Sequence, residues 1–298
     1  SRIMKIMGLN GSSFAPLLLG FGCSVPAILS TRRIETRSDR LVTIAVLPMM
    51  SCAGRLPIYM MFVSALFPSR LQAPVLFGIY ASGVLLALCC ARLLKNTLFK
   101  APQRDSLHHM KRLRLPSLRK VGILMWSRAF MYVRKAGTFI LGASIILWFL
   151  NTYPRPEEDT APTNAAAMEH SYAGQIGHWM EPVTQVAGFD WKINSALVGA
   201  FAAKEIFVTQ MGILYAVEDG NSGPAAQQTL NTRLKASYTP LQGISIMIFC
   251  LIALPCIGTV TVAKREAGTW WFALAQFGGL TLLGFATATL IYQAGLLL

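Results

Sequence analysis

Leu41-Val-Thr-Ile-Ala-Val-Leu-Pro-Met-Met-Ser-Cys-Ala-Gly-Arg-Leu-Pro-Ile-Tyr-Met-Met-Phe-Val-Ser-Ala-Leu-Phe67 is long enough to cross a bilayer, yet Pro48, Gly54 and Pro57 interrupt its middle. A hydrocarbon core about 30 Å thick takes roughly 20 apolar residues as a helix. Proline inside such a helix removes one hydrogen bond and collides with the preceding turn. The stretch therefore reads as a transmembrane helix broken at membrane depth, which is tolerated only where protein or water receives the freed backbone groups. Upstream, Phe14 to Thr31 is apolar but short and carries Pro16 and Pro26, the pattern of a re-entrant segment. Downstream, Leu71 to Ala91 is an uncharged run, and Ala129 to Leu150 crosses with Arg134 and Lys135 snorkelling at its start. Ile193 to Val217 is apolar except for Lys204 and Glu205, Leu241 to Ala263 is broken at Pro255, and Ala267 to Leu298 supplies a last span.

Composition agrees with a polytopic, all-α membrane protein. The chain of 298 residues is 54% hydrophobic and 13% charged, with mean hydropathy +0.49, too little polar surface for soluble domains of this size. A net charge of +14 would suggest nucleic acid in a soluble protein, but the bases cluster between hydrophobic runs. Arg92 to Lys135 holds twelve Lys or Arg against Asp105 alone, whereas Asn151 to Asp190 holds six acids against Arg155 alone. By the positive-inside rule the first is cytoplasmic and the second external. Six cysteines outside any short secreted framework read as membrane-buried thiols. No GxxxxGK[ST] loop, HExxH pair or nucleophile elbow occurs, so the sequence points to a transporter and away from an enzyme, and no nucleic-acid partner is expected.

The chain also repeats itself weakly. At an offset of 180, Gly8, Leu17 and Phe21 meet Gly188, Leu197 and Phe201, and at 204, Ile44, Cys52 and Gly54 meet Ile248, Cys256 and Gly258. The extra 24 positions fit the polar insert around Ala216 to Thr239. Each unit then holds an interrupted segment followed by a broken helix. The charge pattern puts both ends of the first short segment inside and both ends of the second outside, which makes an inverted repeat. The whole chain, 1–298, reads as one transmembrane permease domain: repeat one about 1–91, a basic loop 92–128, repeat two about 129–266 and a final helix 267–298. Transporters gather substrate ligands between such discontinuous elements.

Three cysteines sit beside helix breakers: Cys23 before Pro26, Cys52 before Gly54, and Cys256 after Pro255. Thiols and thioethers suit softer transition metals, and Met49, Met50 and Ser51 adjoin Cys52. The alternative is a small buried hydrophobe, the reading preferred for Cys89, Cys90 and Cys250 in unbroken apolar runs. A charged side chain at the centre of a span costs at least ~2.5 to 3.5 kcal/mol unless paired or wet. Lys204 and Glu205 are therefore candidates for the pathway, with Glu205 either a metal ligand or an ion-pair partner of Arg55. Adjacent helical residues point in different directions, so Lys204 and Glu205 are not expected to pair. His108, His109 and Met110 lie in the basic loop, where a solvated loop is the simpler reading.

Pro16-Leu-Leu-Leu-Gly-Phe-Gly-Cys-Ser-Val-Pro-Ala27, Asp39-Arg-Leu41 and Ser51-Cys-Ala-Gly-Arg-Leu-Pro-Ile-Tyr59 resemble the ferrous iron transport protein B (FeoB) family. Lys135-Ala-Gly-Thr138, Ile145-Ile-Leu-Trp-Phe-Leu150, Gly188-Phe-Asp-Trp191, Phe201-Ala-Ala-Lys-Glu205, Pro255-Cys256 and Arg265-Glu266 extend the likeness in order. The resemblance implies Fe2+ as the transported substrate, taken up across the bacterial inner membrane. It also implies two gate motifs whose cysteines fall at Cys23 and Cys256. Small cytoplasmic Feo accessory proteins are implied partners, and a homo-oligomer is left open. Family members carry an amino-terminal GTP-binding domain. Ser1 is not an initiator Met, and this G domain, with its GTP and Mg2+, is expected only in a longer parent protein. Ser24 stands where the family often has Asn, and Leu107 to Leu113 departs from its acidic, proline-containing pattern. The rival readings are a nucleoside-type or other small-solute transporter sharing the repeat, and an accessory membrane subunit without a pathway.

Overall fold

The computed structural model describes residues 11–99, 117–154, 168–216 and 224–297. The histidines His108 and His109, the acids Glu157, Glu158 and Asp159, and Gly8 of the sequence repeat lie outside the described residues. All regular structure among those described is helical. Four helical stretches are long and apolar enough to cross a membrane: Arg37–Leu66, Ser69–Thr97, Pro240–Ala267 and Trp270–Leu297. The chain is an all-α polytopic membrane protein.

The first interrupted segment is a pair of short helices, α1 (Phe14–Gly20) and α2 (Ser24–Ser30), packed on each other. The broken helix that follows is α3 (Arg37–Val46) and α4 (Leu56–Leu66), joined by two short 3-10 turns around Met50 and Cys52. Then come two long helices, α5 (Ser69–Thr97) and α6 (Leu118–Thr152), and a shorter α7 (Tyr172–Thr184) that packs against α6. The helix expected over Ala129–Leu150 thus runs further at both ends.

The stretch Ile193–Val217, read from sequence as one span with charges at its centre, is instead two helices. They are α8 (Trp191–Ala202) and α9 (Lys204–Ala216), packed together and separated by extended backbone at Ala203. No proline or glycine marks that break, so the apolar periodicity ran through it. The insert contains a helix of its own, α10 (Pro224–Ser237). A second broken helix, α11 (Pro240–Ile252) and α12 (Ile257–Ala267), precedes the last span, α13 (Trp270–Leu297).

Helices α4 and α11 run through the middle, and Tyr59, Phe62, Met247 and Leu251 on them are fully buried. Phe62 meets Phe207 of α9 and Tyr238 beyond α10. The long helices α5 and α13 lie outside and expose Phe77, Leu85, Leu282 and Leu290, an apolar surface suited to lipid. Each approaches a broken helix through a glycine. A Cβ at Gly83 would stand 3.3 Å from the Met49 carbonyl oxygen, and one at Gly284 would stand 3.1 Å from the Ala253 nitrogen.

Candidate functional site

Proline creates one of the acceptors here, because a residue without an N–H leaves the carbonyl four positions earlier unsatisfied in a helix. Pro26 stands in the first turn of α2, where an N–H would have no partner within the helix, and the Gly22 carbonyl just before that helix accepts from the Ala53 N–H at the second break at 3.1 Å. Pro48 frees the carbonyl of Ile44, and Gln276 of α13 donates its side-chain amide to that oxygen at 2.7 Å. At the fourth break Leu254 holds a left-handed conformation, φ 54°. That conformation costs a branched residue of order 1–3 kcal/mol and persists only where the surroundings impose it.

The four breaks come together. Arg55, just past the second break, donates to the Pro48 carbonyl at 2.7 Å and the Met50 carbonyl at 3.3 Å, and reaches Ala253 O at 3.5 Å. Lys204, which opens α9 at the third break, donates to the same Ala253 carbonyl at 3.5 Å. A Cβ at Gly54 would stand 3.5 Å from a carboxylate oxygen of Glu205, and one at Gly258 would stand 3.5 Å from Val25. Pairs of elements distant in sequence thus meet at one level: first with second, second with third and fourth, third with fourth, and fourth with first.

The residues singled out by sequence take distinct places in this cluster. Cys23, Cys52 and Cys256 each occupy the residue before a helical turn begins, and all three are half-buried. The Cys256 sulfur lies 3.2 Å from the Thr259 hydroxyl. Met49, Met50 and Ser51 line the second break and are buried. Arg55 and Lys204 are also buried, at 2% and 5% exposure, whereas Glu205 is exposed. The ion pair considered between Glu205 and Arg55 does not form; backbone carbonyls take the guanidinium. Lys204 and Glu205 point apart, as adjacent helical residues should. Cys89 and Cys90 sit inside unbroken α5. Cys250 is fully buried, but it lies, with Cys52 and Cys256, within electrostatic reach of Lys204. Among the described residues no group of three His, Cys, Asp or Glu side chains is gathered tightly enough to hold a metal ion. The cluster offers dispersed thiols and backbone oxygens, not a closed cage.

Backbone angles at the four breaks match in pairs. Cys23 has φ −154°, ψ 132° and Ala203 has φ −150°, ψ 134°; they stand 180 positions apart. Cys52 at −74°, 161° and Cys256 at −63°, 157° stand 204 apart. These offsets are the ones that align the sequence on itself.

The family described as Gate: Nucleoside recognition matches residues 1–66 and 133–270. That described as FeoB_C: Ferrous iron transport protein B C terminus matches 76–128, in the gap between them. The chain belongs to the FeoB family. Among FeoB relatives, the Fe(2+) transport protein A/Fe(2+) transporter FeoB fusion protein of Porphyromonas gingivalis is 37% identical over 99% of this chain and 39% of its own length. The Fe(2+) transporter FeoB of Campylobacter jejuni is 39% identical over 92% of this chain and 45% of its own length. The FeoB of Staphylococcus aureus is 35% identical over 99% of this chain and 42% of its own length. The chain therefore spans less than half the length of each of these three FeoB relatives. No solved structure matches it.

Sequence reading missed several residues that hold this FeoB-family site together. Gln276 carried no signal, being one amide in an apolar helix. Glu266 accepts from Arg32 Nη2 at 2.5 Å and from Arg40 Nη2 at 2.6 Å, and its side chain is 3% exposed. Asp39 and Lys95 form a second ion pair, largely buried. Asp39-Arg40 and Arg265-Glu266 stood out only as family motifs, and nothing in their spacing said that they meet.

Proposed function

We propose that this chain is the permeation portion of a ferrous iron transporter, carrying Fe2+ inward across the bacterial inner membrane through the converging breaks. The observation that carries the reading is that three cysteines stand at the starts of helical turns where four chain breaks meet. Thiols and backbone oxygens spaced along a path bind a dehydrated transition metal partially and successively, so that it enters and still leaves. Cys23, Cys52 and Cys256 with the break carbonyls are the ligands in this reading. Exposed Glu205 beside Gly54 attracts the cation to them, and Met49, Met50, Ser51, Arg55 and Lys204 line the second and third breaks.

An inverted repeat is supported by how the half-helices pair. Helix α2 packs on α12, and α9 packs on α4. Under the repeat, α2 corresponds to α9 and α12 to α4, so one pairing is the image of the other. The Arg32–Glu266 contact puts the ends of α2 and α12 on one side, which the basic residues near both ends mark as cytoplasmic. The same reading divides the chain into repeat one about 1–91, the basic loop 92–128, repeat two about 129–266 and a final helix 267–298. A G domain binding GTP and Mg2+ and a FeoA-like partner belong to the same reading. The first rests on family resemblance, the second on the fused relative.

The rival small-solute reading takes support from the nucleoside-recognition description of the Gate family. The thiols separate the two, because a nucleoside pathway has no use for soft ligands. Fe2+ uptake by proteoliposomes carrying Cys23→Ser, Cys256→Ser or Cys250→Ser, matched for protein content, tests this. The first two substitutions should lower uptake severalfold and the third much less. Silent gate substitutions beside a damaging Cys250→Ser would remove the thiol pathway.

A further inference from the structure

Two buried cations are an odd furnishing for a route that conducts a cation. Neither Arg55 nor Lys204 has a carboxylate within ion-pair distance among the described residues. Both converge on one acceptor, Ala253 O, at 3.5 Å each. That carbonyl ends α11 immediately before the left-handed Leu254, so its direction is imposed by strained backbone. The two cations differ in attachment. Arg55 is fastened to its own segment by the Pro48 carbonyl at 2.7 Å, whereas the contact to Ala253 is the hydrogen bond that holds the Lys204 ammonium. It bridges the third break to the fourth at the limit of hydrogen-bonding distance. Two oxygens beside the cluster, the Ser51 hydroxyl and the Tyr59 phenol, are buried with no hydrogen-bond partner. Oxygens lacking donors around weakly held cations describe a cation site filled by the protein itself.

We propose that Lys204 is a tethered cation that occupies the Ala253 carbonyl site when no metal is bound, and that a divalent metal must displace it to pass. The inference rests on the ferrous iron reading above. An ammonium on a flexible four-carbon stem is a compact point charge, close to a monovalent metal ion in what it asks of a carbonyl. Monovalent cations and protons then gain nothing by exchanging with it, and its charge repels them. A transition-metal dication gains thiol ligands from Cys52 and Cys256 as well as the carbonyl, and so displaces the ammonium. Lys204 thus works as a selectivity device that closes the route between transport events.

Purified protein in proteoliposomes tests this with three measurements. Co2+ binding serves as an oxidation-stable probe of the site. If Lys204 blocks it about nine-tenths of the time, Lys204→Leu, which adds no ligand of its own, should tighten Co2+ binding about tenfold. The same variant should leak K+ under a potential that the wild type resists, while Lys204→Arg, which keeps the charge, should stay tight to K+. In the wild type, mass spectrometry should find Lys204 more readily acylated by a small amine reagent in Co2+ than in Mg2+, a readout that needs no variant to fold. Unchanged Co2+ affinity without K+ leak in Lys204→Leu, or equal acylation in the two metals, would overturn the proposal. Fe2+ flux measured in the same wild-type vesicles judges the iron reading separately. Tighter binding and leak in the variant without wild-type Fe2+ flux would uphold the tethered cation and remove iron as its cargo.

Discussion

A guanidinium at membrane depth persists only where oxygens surround it, and Arg55 has three backbone carbonyls. Removing it strands those oxygens in a buried region, each costing about 1–3 kcal/mol when left unmade. Arg55→Leu should therefore lower stability by about 2–4 kcal/mol, read as earlier thermal unfolding in detergent, with Arg55→Lys intermediate. A variant as stable as the parent would mean water reaches these carbonyls. Glu205 is the opposite case. It is exposed and takes part in no ion pair among the described residues. Glu205→Gln should change stability by no more than ~0.5 kcal/mol while Fe2+ uptake falls. Undiminished uptake would place the carboxylate off the route. The charges themselves were legible in the sequence; which one is buried was not, because that depends on the rotation of α9 about an unannounced break.

At the scale of elements, Pro48 explains where an acceptor arises but not who answers it. Pro48 is visible in the chain, whereas Gln276, which answers the Ile44 carbonyl, is more than two hundred residues away. Gln276→Leu should cost about 1–3 kcal/mol, since it leaves that oxygen bare. In Pro48→Ala the new N–H can take the Ile44 carbonyl, so the double variant should lose less than the sum of the single losses. A coupling of about 1 kcal/mol is expected in the cycle, and strict additivity would sever the two residues. The breaks at Cys23, Cys52 and Cys256 could be read from flanking Gly and Pro. The one at Ala203 could not, and only the offset of 180 from Cys23 hinted at it. Its extended backbone is held by tertiary contacts, with α8 folded back on α9.

At the scale of the whole molecule, Arg32, just past α2, and Arg40 on α3 grip Glu266 on α12, tying the ends of α2 and α12 together. Arg32 is half exposed, so its share is discounted for solvent, but Glu266 is almost wholly enclosed. Glu266→Gln should lower stability by about 1–2 kcal/mol and loosen the pairing of these half-helices, seen as faster hydrogen exchange in α2 and α12. Unchanged exchange there would make the triad ornamental. The proposed topology is tested from the same end of the molecule. A cysteine replacing exposed Glu35 should react with a membrane-impermeant maleimide only after the cells are opened, and one replacing exposed Ser237 should react in intact cells. The reverse pattern would invert the topology.

By itself the sequence determined the class of protein, because a run of apolar residues has one stable destination and a proline removes its hydrogen bond wherever it folds. It also carried the family and the positions of three of the four breaks. The tertiary structure alone decided that these breaks meet, that Lys204 and Arg55 share the Ala253 carbonyl, and that Glu205 stays outside. Helix breakers announce which backbone groups lose their partners; the packing of distant helices settles which groups replace them, and no local pattern encodes that choice.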